Sequence, residues 1–220
     1  MTPGKGTTPR GAANERQAAE YVRGMFGRVA GRYDLLNHLL SFQIDRYWRA
    51  RAVAQTEEVL RRPDALAMDL CCGTGDLLLA LRAAAHTQAR VLGGDFCHPM
   101  LAEAQKKAAQ RRVETPLLEC DALNLPFADR SLDLITVAFG FRNFTNYRGG
   151  LQELNRVLKP GGILAILEFS TPPNPLFRAL YRFYSMRILP AIGGMVSGDS
   201  DAYKYLPESV RKFPGAEALA

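Results

Sequence analysis

The sequence predicts an α/β domain on a doubly wound, mainly parallel sheet. Apolar runs of strand length alternate with helix-length runs through the middle of the chain, which calls for a sheet covered on both faces. The first such strand, Leu66 to Leu70, breaks into Gly73-Thr74-Gly75, and Asp76 then opens a helical run. Glycines there let the backbone approach a ligand while amides at the helix start point toward it. Acidic residues recur where successive strands end: Asp69, Asp95 and Asp121.

In order, the core reads as strand Leu66–Leu70, helix Leu77–Ala85, strand Val91–Gly94, helix Pro99–Gln110, strand Thr115–Glu119, a loop, strand Leu132–Phe139, helix Asn146–Val157 and strand Ile163–Glu168. Right-handed crossovers put the intervening loops at the carboxyl edge of the strands, where such sheets bind ligands. Lys159-Pro160-Gly161-Gly162 reads as a structural turn between helix and strand. Residues 1–14, rich in Gly, Pro and Thr without periodicity, are expected as a disordered tail. Residues 15–220 form one domain, divided into a helical lid (15–62), a core (63–170) and a covering segment (171–213). The lid is read as helices with one irregular joint around Tyr33 to Ser41. After the rigid break Thr171-Pro172-Pro173-Asn174-Pro175 comes an apolar helix, Leu176 to Leu189, carrying aromatic residues with Arg178, Arg182 and Arg187. That pattern suits a cap over the site and also a surface facing anionic lipid.

Composition narrows the class. With 47% hydrophobic and 23% charged residues in 220, the chain is an ordinary globule able to bury a large core. It has no apolar run of membrane-spanning length and no apolar signal core, which points to the cytoplasm. The net charge of +6 comes without a basic block or a base-stacking motif, so nucleic acid is not an expected partner. Cys71, Cys72, Cys97 and Cys120 lack paired metal spacing and read as small buried thiols, with no metal expected.

The acids decide the ligand class. A pyrophosphate loop excludes negative charge, whereas Asp69 and Asp76 flank these glycines. Such a loop suits a cationic, phosphate-free ligand such as S-adenosylmethionine. Asp95 can accept both hydroxyls of a ribose. Asp121, beside Ala122, can accept from an adenine amino group. The cofactor-binding candidates are therefore Asp69, Gly73, Thr74, Gly75, Asp95, Asp121, Ala122 and Ala138.

The chain resembles the class I (Rossmann-like) S-adenosylmethionine methyltransferases, and more narrowly the ubiquinone/menaquinone biosynthesis C-methyltransferases. The resemblance rests on Tyr33-Asp34-x-x-Asn37 with Ser41 and Trp48, and on Arg156 to Gly162 through Glu168-Phe169-Ser170. It also rests on Phe139-Gly140-Phe141-Arg142-Asn143 and on Asp201-Ala202-Tyr203-Lys204-Tyr205-Leu206. Leu36, Asp45 and Ala138 depart from the family pattern. The resemblance implies edge strands beyond Ala220, so those strands are expected to be missing. It implies methyl transfer to a ring carbon of a polyprenylated quinol, in menaquinone or ubiquinone biosynthesis. Arg142 would stabilise a phenolate, and Tyr33 and Asn143 would orient the ring or relay a proton. Arg142 could equally pair structurally with an acid such as Asp34. A membrane-borne substrate implies peripheral contact with the inner face of the cell membrane; a homodimer stays open. The rivals are a methyltransferase of the same fold acting on oxygen or nitrogen, a non-catalytic cofactor-binding partner in a quinone-synthesis assembly and, fitting poorly, a nicotinamide dehydrogenase.

Overall fold

The computed structural model describes residues 6–169, 174–184, 187 and 200–219. Three helices lead in: α1 (Glu15–Val29), α2 (Tyr33–Leu40) and α3 (Ile44–Leu60). The core follows as β1 (Leu66–Leu70), α4 (Asp76–Ala84), β2 (Arg90–Asp95), α5 (His98–Gln110), β3 (Leu117–Glu119), β4 (Leu132–Ala138), α6 (Tyr147–Val157) and β5 (Leu158–Leu167). Then come α7 (Pro175–Phe183), α8 (Ser200–Lys212) and α9 (Ala216–Leu219). All strands pair in parallel, in the order β3-β2-β1-β4-β5.

Strand alternation explains the double winding. In β1, Ala67 packs on one side with Leu77, Leu78 and Leu81 of α4 and Leu60 of α3. Met68 and Leu70 pack on the other with Ile135, Val137, and Leu154 and Val157 of α6. Both faces are therefore apolar, as a buried parallel sheet requires. Sheet order reverses between β1 and β4, so the loops after these two strands flank the crevice where such sheets bind ligands.

The front helices depart from expectation. Tyr33 to Leu40 is helical, entered through a 3-10 turn at Ala30–Arg32. The irregularity sits at Phe42 and Gln43, both in the left-handed region (φ 52° and 65°), where the chain turns into α3. The polar residues read as a break bond across the turn instead: Ser41 Oγ donates to Asp45 Oδ1 at 2.5 Å. Residues 6–14, expected as a tail, carry contacts of their own. The Thr7 amide donates to the Phe144 carbonyl (2.7 Å), and Asn14 caps α1 by accepting from Gln17 N (2.9 Å).

At the far edge, β5 begins at Leu158, so the stretch read as a turn lies inside the strand. Its pairing with β4 shifts register between Leu132 and Leu134, which absorbs Gly161 at φ 79°. Lys159 reaches Asp133 (2.8 Å), tying the irregular stretch to β4. Among the described residues no strand pairs with the outer edge of β5. The helix expected over Leu176 to Leu189 is seen as α7, over Pro175–Phe183. The break at Thr171 to Pro173 and most of the stretch from Ser185 to Gly198 lie outside the described residues.

Candidate functional site

Two cavities meet at the carboxyl edge. The smaller, about 120 Å³, is walled by Gly73, Asp95, Asp121, Ala122, Ala138 and Asn143 among others. The larger, about 490 Å³, lies under the front helices and is lined by Tyr33, Trp48, Arg142, Phe169, Tyr181 and Tyr205 among others. Phe26, Tyr33 and Phe139 belong to both walls. A compartment walled by a glycine-loop residue and two acids thus abuts an aromatic compartment.

Asp95 ends β2 and organises the glycine loop. Its Oδ2 accepts from Gly73 N and its Oδ1 from Cys97 N, both at 2.9 Å. These amides position the carboxylate, while each oxygen keeps a lone pair for a hydroxyl. Burial raises its pKa above the usual carboxylate range, the two amides opposing that. Asp121 is exposed, and its Oδ1 accepts from Leu123 N (2.9 Å), closing the turn that presents Ala122.

Three predicted residues sit elsewhere. Asp69 is only 1% exposed and forms no part of either wall. Its Oδ1 accepts from the Thr136 hydroxyl (2.7 Å), and Oδ2 is buried without a partner among the described residues. Thr74 turns its hydroxyl away to Asp34. Gly75, at φ 85°, supplies the left-handed turn into α4. The glycine loop therefore presents Gly73, while Thr74 and Gly75 hold its shape. Sequence spacing places all these residues near a ligand but cannot say which face each shows.

Burial pushes the Asp69 carboxyl up to about 7. The folded state then keeps a proton that the unfolded chain has released. The resulting stability is complete below about pH 4 and is lost as pH rises through about 7. We expect Asp69→Asn to stabilise the ligand-free protein at pH 8 by up to about 4 kcal/mol, and to change it little at pH 4. Urea unfolding of both proteins at the two pH values checks this; equal stability at pH 8 would contradict it.

Arg142 follows β4 on a 3-10 turn, Phe141–Asn143. It pairs with Glu168 at 3.0 Å, each side chain 5% exposed, and also donates to the Phe139 carbonyl. The acid it pairs with is thus Glu168, while Asp34 is engaged by Lys107 (2.6 Å). The Arg142 Nε is buried and has no partner among the described residues. The Tyr33 phenol has its pKa raised by burial, with Arg142 opposing, so it stays protonated at neutral pH. Phe139 and Phe169 stack at 4.6 Å with Trp48 edge-on to Phe169, and Arg142 lies 5.6 Å from the Phe169 ring centre. Phe139 (φ 57°) and Cys71 (φ 56°) hold left-handed backbone at the ends of β4 and β1. Such strain in non-glycine residues gathers at functional sites. Glu168 and the aromatic stack were not picked out by sequence reasoning, which had only their place in a motif.

A charged network fastens the lid to the core. Lys107 of α5 binds both Asp34 of α2 and Asp76 of α4, each at 2.6 Å. His38 binds Asp45 (2.8 Å), and Arg49 contacts Asp45 and lies 3.7 Å from Asp76. His38, Asp45 and Asp76 have metal-like proximity, but Arg49 and Lys107 already supply their positive charge.

A model of the ubiE/COQ5 methyltransferase family matches residues 13–220. The chain belongs to that family. It is 52% identical over 195 residues to a Thermus thermophilus protein named demethylmenaquinone methyltransferase, covering 89% of this chain and 87% of that one. A Deinococcus radiodurans protein of the same name is 45% identical, covering 94% and 84%. A Geotalea daltonii protein named ubiquinone/menaquinone biosynthesis C-methyltransferase UbiE is 43% identical, covering 91% and 85%. Among solved structures, the [4+2]-cyclase SpnF shares the fold at TM-score 0.61 and 20% identity, covering 79% of this chain and 66% of that one. A SAM-dependent methyltransferase from Aquifex aeolicus gives TM-score 0.50 at 24% identity, covering 56% and 65%. As a ubiE/COQ5 family member on a class I methyltransferase fold, the chain is an S-adenosylmethionine-dependent methyltransferase. The smaller cavity suits that cofactor chemically: Asp95 and Asp121 are the acids in its wall, beside Gly73 of the glycine loop.

Proposed function

We propose that this protein methylates a ring carbon of a polyprenylated quinol, demethylmenaquinol, in menaquinone biosynthesis, and accepts the methoxy-polyprenyl-benzoquinol of the ubiquinone branch as an alternative substrate. The observation that carries this reading is the larger cavity: an aromatic wall beside a buried guanidinium, adjoining the acid-lined compartment. The names of the relatives from Thermus and Deinococcus support the menaquinone branch.

S-adenosylmethionine supplies the electrophilic methyl group when bound. Asp95 would hold its ribose hydroxyls, Asp121 its adenine amino group, and Gly73 would give the backbone clearance. A quinol carbon becomes nucleophilic as the neighbouring hydroxyl loses its proton. Arg142 is held charged by Glu168 and would stabilise the resulting oxyanion. Tyr33, kept protonated, would donate a hydrogen bond to the ring oxygen. Phe139, Phe169 and Trp48 would hold the ring and exclude water. Holding the carbon near the donor supplies much of the rate.

The rim of the larger cavity supports contact with a membrane. Leu176, Phe177 and Phe183 of α7 are exposed, as are Leu35, Leu39, Phe42 and Ile44 on and after α2. The two groups meet where Phe42 packs near Tyr184, at 6.0 Å between rings. Arg178 and Arg182 lie among the α7 residues, and 174–184 contains no acid. Apolar side chains interspersed with arginine suit an anionic interface. No helix among the described residues is long and apolar enough to cross a membrane.

Purified protein with labelled S-adenosylmethionine and demethylmenaquinol should yield carbon-methylated menaquinol. Methylation at oxygen, or cofactor binding without product, would overturn this reading. Reversing charge at Arg178 and Arg182 should weaken sedimentation with phosphatidylglycerol vesicles at least tenfold and spare turnover of a short-tailed quinol. Unchanged sedimentation would remove the membrane contact.

A further inference from the structure

Tyr205, on α8, lies far along the chain from the core yet lines the larger cavity, and its hydroxyl reaches Asn143 in the wall of the smaller. Its side chain is 7% exposed and packs with Val22 and Met25 of α1. Its hydroxyl donates to Asn143 Oδ1 at 2.9 Å and lies 2.8 Å from Thr7 Oγ1. A phenol has one hydrogen, and here it goes to Asn143, so Thr7 must donate to Tyr205. The chain of bonds therefore has a direction: Thr7 to Tyr205 to the amide oxygen of Asn143. With its oxygen fixed, the Asn143 side chain offers only donors elsewhere. One Nδ2 hydrogen makes a long contact to the Phe139 carbonyl (3.4 Å), which leaves the other for the cavity that Asn143 lines.

We infer that Tyr205 is a positioning residue, fixing the Asn143 side-chain amide so that it presents a hydrogen-bond donor into the smaller cavity, where the methyl donor would lie. The outer end of the relay is itself anchored. Thr7 donates its backbone amide to Phe144, next to Asn143, and Lys212 of α8 reaches the Thr8 carbonyl at 3.1 Å. Thr7 thus braces the short turn that carries Arg142 and Asn143, while Thr8 is tied to α8. Burial keeps the Tyr205 phenol protonated, so it remains a donor at neutral pH.

The inference rests on the quinol methyltransferase reading for its kinetics but not for its structural readout. With asparagine-selective ¹⁵N labelling of the ligand-free protein, the Asn143 Nδ2 pair is identified by its loss in Asn143→Ala. We expect its exchange protection to fall at least fivefold in Tyr205→Phe and in Thr7→Val, a second variant that leaves the tyrosine in place. In turnover with demethylmenaquinol, Tyr205→Phe should lower kcat ten- to thirtyfold with KM for the quinol within twofold. Asn143→Ala should then cost at least fivefold less in the Tyr205→Phe background than in the wild type, as expected for groups acting as a unit. Unchanged protection in both variants, or losses that simply multiply, would overturn the inference. An inactive wild type with the exchange pattern intact would count against the quinol reading alone.

Discussion

Asp95→Asn should weaken binding of S-adenosylhomocysteine by roughly 100- to 1,000-fold. The carboxylate is pre-set by two amides at 2.9 Å, so each oxygen is aimed before any ligand arrives. Hydrogen bonds to a charged acceptor contribute about 1.5–3 kcal/mol each, and two hydroxyls gripped at once give about 3–4 kcal/mol after overlap, which sets the range above. The isosteric amide removes the charge, and its NH₂ end cannot accept from Gly73 N or Cys97 N. Burial already disfavours the charged form of Asp95, so losing the charge returns part of what the lost amide bond costs the fold. The ligand-free melting temperature should therefore move by only a few degrees, at roughly 2–4 °C per kcal/mol for a chain this long. Titration calorimetry and thermal melts separate the effects. An affinity within threefold of wild type would show that Asp95 shapes the loop without gripping ribose.

Arg142→Ala should be costly to the fold as well as the chemistry. It strands Glu168, whose side chain is 5% exposed, without its counter-charge. Breaking a buried pair from one side costs about 3–5 kcal/mol, a fall of roughly 6–20 °C in melting temperature. Removing both charges leaves no stranded ion, so Arg142→Met with Glu168→Gln should recover most of that stability while activity stays lost. Urea unfolding of the single and double variants, beside turnover, makes the comparison. A single variant that loses less than about 1 kcal/mol would show that water or another group already serves Glu168.

What the sequence makes legible follows from what lies close in the chain. The central strands, the glycine turn and the acids at strand ends are local patterns, and Asp95 and Asp121 line a cavity as their positions suggest. Side-chain direction is not local. Asp69 faces inward because β1 is covered on both sides, and Thr74 turns its hydroxyl to Asp34 of α2. Glu168 meets Arg142 only because β4 and β5 align Ala138 with Leu167. Tyr205 and Thr7 meet because α8 packs on α1, at a separation of 198 residues. The stretch Lys159 to Gly162 has the composition of a turn, yet tertiary pairing to β4 carries it into the sheet.

The ion network around Lys107 and Arg49 also bears on traffic. One flank of the lid is stitched to α4 and α5 by several charges at once, and prising it open would strip them of partners together. On the opposite flank Phe42 lies against Tyr184, Phe42 and Phe177 line the cavity, and the Tyr184 hydroxyl donates to the Leu40 carbonyl. On the quinol reading proposed above, a long hydrocarbon tail would trail outward past those apolar side chains, with the ion-paired flank as the fixed jamb.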